Sequence, residues 1–162
     1  MGSSHKLIQL TLLLPGFLMI LGCATTFAPL PLEEVRFMER AQAQSDGNLR
    51  VTAAVLSAEE TEAVFTVPLY LKGIQPIWLE IANHDDKPTW FLPVSVDPDY
   101  FAPLEVTYLY HRAFQEEYNS QLDQYFMAND IGLFVAPGTT RSGFIFTNLD
   151  LGTKMFNVDL VG

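Results

Sequence analysis

The stretch that decides the fold reads Ile74-Gln75-Pro76-Ile77-Trp78-Leu79-Glu80-Ile81-Ala82-Asn83, then His84-Asp85-Asp86-Lys87-Pro88, then Thr89-Trp90-Phe91-Leu92-Pro93-Val94. Ile77, Leu79 and Ile81 recur at every second position, with Trp78 and Glu80 between them. Successive side chains of a strand point to opposite faces, so this spacing predicts a strand with one apolar face. The polar block 84–88, closed by a proline, reads as a turn, and 89–94 returns as a second strand. Together the three pieces predict a hairpin.

The same pattern of short strands extends outward. Upstream, Leu49, Val51, Ala53 and Val55 alternate with Arg50 and Thr52, the signature of a half-buried strand. Ser57-Ala58-Glu59-Glu60 has capping-box spacing: the serine oxygen can meet a free amide three residues on, and the glutamate can reach back. One or two helical turns are expected there, with residues 65–71 as a further strand. Downstream, residues 131–135, 141–147 and 154–161 read as strands. Between the first two, Pro137-Gly138 suits the central positions of a type II turn.

Residues 103–129 differ in period. Val106, Leu109, Tyr110, Ala113 and Phe114 follow the 3.6-residue repeat of an amphipathic helix. Leu104, Val106, Tyr108 and Tyr110 also fit strand alternation, so the first part is ambiguous. Tyr118, Leu122, Tyr125 and Phe126 fit a helix better. The expectation is a helical insertion, broken near Asn119-Ser120. Six or seven short strands at this spacing resemble the immunoglobulin-like β-sandwiches of bacterial envelope proteins, in pattern alone. The fold class expected is therefore mainly β, an immunoglobulin-like sandwich with a helical insertion around 103–129, with α+β as the alternative. An unpaired edge at the strand over 154–161 would be open to strand addition by a partner.

The amino terminus has a different logic. A short polar region with one lysine, Lys6, precedes an apolar run from Leu7 to Leu21, which Pro15 and Gly16 interrupt. The run is too short for a comfortable membrane-spanning helix and has the build of a secretory signal. It ends in Ile20-Leu21-Gly22-Cys23, which resembles the lipobox of bacterial lipoproteins, and Cys23 is the only cysteine in the chain. The resemblance implies that the Cys23 thiol takes a diacylglycerol and that a peptidase cuts before it, with a small residue at Gly22 to suit its pocket. Acyl chains such as palmitate each contribute about 0.8 kcal/mol per buried methylene, so two or three hold a protein stably on a membrane. Ala24 stands where an aspartate commonly retains lipoproteins at the inner membrane. This implies an outer-membrane position facing the periplasm in an organism with two membranes. The expected division is a signal peptide at 1–22, a lipidated terminus and spacer at 23–48, and the sandwich at 49–162.

Charge narrows the partners. The formal net charge is −10, and binding to nucleic acid or to anionic lipid headgroups needs clustered lysine and arginine. No nucleic acid is expected, nor any cofactor. Asp85-Asp86 and Asp97-Pro98-Asp99 lack the regular spacing of a calcium loop and suit turns as well. His84 and His111 have no neighbouring ligand at zinc spacing, so no metal is expected. Arg141-Ser142-Gly143 is not a nucleophile elbow. No catalytic residue stands out. The aromatic series Tyr108, Tyr110, Phe114, Tyr118, Tyr125 and Phe126, with Tyr100 and Phe101 before it, is the candidate partner or ligand surface. The expected function is a non-enzymatic, lipid-anchored envelope protein that binds a protein partner or joins an assembly. A carrier of a small apolar ligand is the alternative and a hydrolase a distant third.

Overall fold

The strand expected at 74–83 is the centre of the molecule. In the computed structural model, which describes residues 27–112 and 114–162, β3 (Ile74–Asn83) lies between β2 (Leu49–Val55) and β6 (Thr140–Asn148), antiparallel to both. β1 (Gln42–Asp46) folds back on β2 through a turn at Gly47, whose φ is +55°, and completes a four-stranded sheet. A second antiparallel sheet has β4 (Thr89–Leu92) in the middle, with β5 (Phe134–Val135) and β7 (Asp159–Val161) on its flanks. Three α-helices accompany them: α1 (Ala58–Phe65), α2 (Pro103–Tyr108) and α3 (Glu116–Ala128). The chain is thus β-rich, with two antiparallel sheets and helices at the α+β end of that class.

The expected hairpin of β3 and β4 does not form, because the two strands belong to different sheets. The buried Asn83 makes the switch. Its Nδ2 donates to the carbonyls of Lys87, at 2.8 Å, and Val135, while its Oδ1 accepts from the Asp85 amide at 2.9 Å. The turn is therefore fixed by a side chain rather than by hairpin pairing.

β3 is covered on both sides. Ile77, Leu79 and Ile81 pack with Phe91, Val96, Ile131, Val135 and Ile145 against the small sheet. Ile74 and Trp78 face the other way, into a core with Phe65, Val106, Leu122, Phe126, Phe144 and Phe146 beneath the helices. The order is helices, large sheet, small sheet. A strand with two buried faces should read as a nearly continuous apolar run, and only Glu80 along β3 is even partly exposed.

The segment expected as spacer belongs to this core. After two 3-10 turns at Leu32–Glu34 and Arg36–Arg40 comes β1. Val35 and Phe37 are buried, the Phe37 ring lying 6.2 Å from Trp78 and 6.1 Å from Phe144. Phe27 sits 5.5 Å from both Tyr118 and Tyr125, and the Leu30 amide donates to the Ala63 carbonyl at 2.9 Å. Arg40 donates to Glu60 at 3.0 Å, clipping the segment to the capping box of α1. Among the described residues the packed domain begins at Phe27 rather than at 49, because these side chains complete the helical core.

Other expectations shift for local reasons. Residues 65–71 are no strand: α1 ends at Phe65, Thr66 turns left-handed at φ 61°, and a 3-10 turn follows at Leu69–Lys72. The ambiguous start of the insertion is helical, as α2. The break lies between α2 and α3, whereas Asn119 and Ser120 sit inside α3.

Candidate partner-binding face

Alternation along β4 sends Phe91 into the core and Trp90 outward. The register then places three apolar side chains in one row, since Trp90 pairs with Phe134 of β5 on one side and with Val161 of β7 on the other. All three stay exposed, Trp90 at 43%, Phe134 at 48% and Val161 at 47%. The Trp90 and Phe134 rings meet edge to face at 5.4 Å and 62°. Such a cross-strand pair contributes about 0.2–1 kcal/mol to the sheet, too little to explain leaving both rings in water. Leu133, just before β5, and Val94, in the 3-10 turn Pro93–Ser95 after β4, are also exposed. Contiguous apolar surface of this kind marks an interaction site far more often than single exposed residues do.

A cleft of about 160 Å³ is lined by Phe91 and Leu133, the chain neighbours of Trp90 and Phe134, though not by the row itself. Two segments that cover the outer edge of β6 wall it. Phe101 bridges to Phe146, its amide donating to the Phe146 carbonyl at 2.8 Å, and Asp130 bridges to Phe144. Gly143 permits the second approach: a Cβ there would stand 2.6 Å from the Ile131 nitrogen and 2.7 Å from the Asn129 oxygen. The floor is Phe91 and Ile145, and Leu133 joins cleft to row, its carbonyl accepting from the Phe91 amide at 2.8 Å.

Asp130 is the one acidic residue that lines the cleft, and it is half-buried. Burial pushes its carboxyl above the ordinary aspartate value, against the opposing pull of the Gly132 amide and the Arg141 cation. The Gly132 amide donates to its Oδ2 at 3.1 Å. The Arg141 side chain passes over Gly132 and gives its Nε–H to the Ile131 carbonyl at 2.6 Å.

Of the aromatic residues singled out by sequence, Tyr100 and Phe101 line this cleft, whereas the six from Tyr108 to Phe126 lie elsewhere and most face inward. Phe126 is fully buried and stacks on Phe146 at 5.1 Å. Tyr110 is buried and donates to the Pro68 carbonyl at 3.0 Å, and desolvation pushes its phenol up to about 12. Tyr118 is buried with its hydroxyl 2.9 Å from that of Thr66, and Phe114 stacks on it at 4.1 Å. Tyr125 is half-buried against Phe27, and burial raises its phenol as well. Only Tyr108 of the six is well exposed, 5.5 Å from His111. The rings are the hydrophobic face of the insertion, used to close the helical core rather than to form a surface.

The polar candidates have structural partners. His111 Nε2 lies 2.8 Å from Asp123 Oδ1, tying the exit of α2 to α3. Asp97 accepts from the Asn148 amide at 2.7 Å and from its Nδ2 at 3.0 Å. Asp85 caps the Asp86 amide within its own turn. Among the described residues no group of three or more His, Cys, Asp or Glu could hold a metal, and no helix is long and apolar enough to cross a membrane. Cys23 lies outside the described residues. Comparison with protein-family models, with curated proteins and with solved structures finds no match.

Proposed function

We propose that this chain is a lipid-anchored protein of the cell envelope, without catalytic activity of its own, that binds a protein partner through the outer face of the small sheet. The observation that carries the reading is the exposed row Phe134–Trp90–Val161. Large aromatic side chains at the centre of a patch supply most of the energy of protein interfaces. The lipobox-like Ile20-Leu21-Gly22-Cys23 supports the anchor, and Ala24 supports an outer-membrane position facing the periplasm where there are two membranes.

The strand order favours the immunoglobulin-like form of the fold. In that reading β2, β3 and β6 would correspond to strands A, B and E, and β5, β4 and β7 to C′, C and F. β1 and the helices are additions. No strand pairs with the outer edge of β7 among the described residues, so that edge extends the same surface. This cleft, at about 160 Å³, is smaller than the roughly 300–1,000 Å³ of small-molecule sites.

The test is a photocrosslinking amino acid at position 134 of the membrane-extracted protein, with products identified by mass spectrometry. One dominant protein adduct, absent when the crosslinker sits at exposed Gln121 on α3, supports the reading. Equal labelling from both positions overturns it. For the anchor, Cys23→Ala should abolish lipidation, and normal processing with membrane retention of that variant would refute it.

A further inference from the structure

We infer that the cleft floored by Phe91 and Ile145 takes a lysine side chain of the partner, its alkyl stem against Phe101, Ile131 and Leu133 and its ammonium on the Asp130 carboxylate. The inference rests on the partner-binding reading for the source of that side chain, while the cleft's own chemistry stands apart from it. A cavity of about 150 Å³ holds a benzene-sized molecule, so about 160 Å³ admits the five heavy atoms of a lysine side chain. The lining residues are mostly apolar or aromatic, Tyr100 and Phe101 among them, as an alkyl stem requires.

The carboxylate decides the chemistry. An ionised carboxylate can accept about four hydrogen bonds. Among the described residues the only donor to the Asp130 side chain is the Gly132 amide, and no cation lies within ion-pair distance of it. Arg141 is the nearest cation and its charge favours the ionised form, but its Nε–H goes to the Ile131 carbonyl and it makes no ion-pair contact with Asp130. A purely apolar guest would leave this half-buried acid still short of partners, whereas an ammonium group gives it charge-assisted hydrogen bonds. The acidic chain, at net −10, also favours the approach of a basic partner.

The experiment uses the full chain, 15N-labelled and extracted in neutral detergent, titrated with Nα-acetyl-lysine methylamide and, separately, with the norleucine analogue. The two probes share the alkyl stem and differ by the ammonium. Saturable shifts of the Gly132 and Leu133 amides are expected with the lysine probe, and about tenfold weaker binding with norleucine. Asp130→Asn keeps an oxygen for the Gly132 amide and should erase the difference between the probes. Equal affinity of the two probes for the wild-type chain, or no saturable shift at Gly132, overturns the inference. Because neither lipid nor partner is needed, these outcomes are independent of the crosslinking result. A positive titration without a crosslinked partner supports the cleft and removes the partner reading.

Discussion

Trp90 and Phe134 stand edge to face across two strands, 5.4 Å apart, with nearly half of each side chain in water. Neither ring is needed to fill a core. Trp90→Ala should therefore cost less than about 1 kcal/mol in chemical denaturation. The same change should weaken partner capture by about 2 kcal/mol, or roughly thirtyfold. A loss of stability larger than the loss of binding would assign the pair to the fold instead.

Phe37 separates a packed amino-terminal segment from a loose one. It is buried against Trp78 and Phe144, so Phe37→Ala should cost about 3–5 kcal/mol in urea unfolding. A cost under about 1 kcal/mol would restore the segment to the status of a spacer.

Gly143 is required by a close approach of backbone. Gly143→Ala would drive a methyl group to 2.6 Å from the Ile131 nitrogen, and the cost should reach the upper end of the roughly 1–3 kcal/mol of overpacking. Because the displaced segment carries Asp130, the Gly132 amide resonance should move with it. An unshifted Gly132 and unchanged stability would show that the segment yields freely.

Asp97 should leave a mark on acid stability. Burial pushes its carboxyl up, but hydrogen bonds from Asn148 and from the Asp99 amide together hold it below the ordinary value. A carboxyl lowered by folding contributes stability above its unfolded pKa, about 3.9. That contribution is lost as pH falls through the lowered folded value. Wild type should exceed Asp97→Asn by about 1 kcal/mol at pH 7, and the gap should close with acidification below pH 4. A gap independent of pH would mean that shape, not charge, matters at this position.

Local pattern made much of the scaffold legible. Alternation at 49–55 and 74–83 marked β2 and β3, the capping box marked α1, and the period of Tyr118, Leu122 and Phe126 marked α3. Tertiary choices were not legible. Nothing local distinguishes a hairpin from a switch between sheets at 84–88, because the choice rests on Asn83 meeting the distant Val135 carbonyl. Phe37 is short in local pattern and long in range, its partners being Trp78 and Phe144. Most of the candidate site was illegible for a related reason, although Tyr100 and Phe101 of the aromatic series do line the cleft. Aromatic density around 108–126 drew attention to rings that a helix turns inward, whereas Trp90 and Phe134 are each isolated in sequence and become neighbours only through strand register. The one local signal was Trp90 falling on the opposite parity from Phe91.

Phe27 has a consequence for posture. Its ring is held by Tyr118 and Tyr125 on the helical side of the molecule, four positions after Cys23. Four residues reach about 14 Å when fully stretched. A lipid on Cys23 would thus act as a short leash, letting the domain rock on the bilayer but not roll over. The small sheet lies two layers away from Phe27, about 20 Å at roughly 10 Å per layer. Its aromatic face would then be the upper deck of the molecule, held clear of lipid and presented to whatever crosses the compartment above.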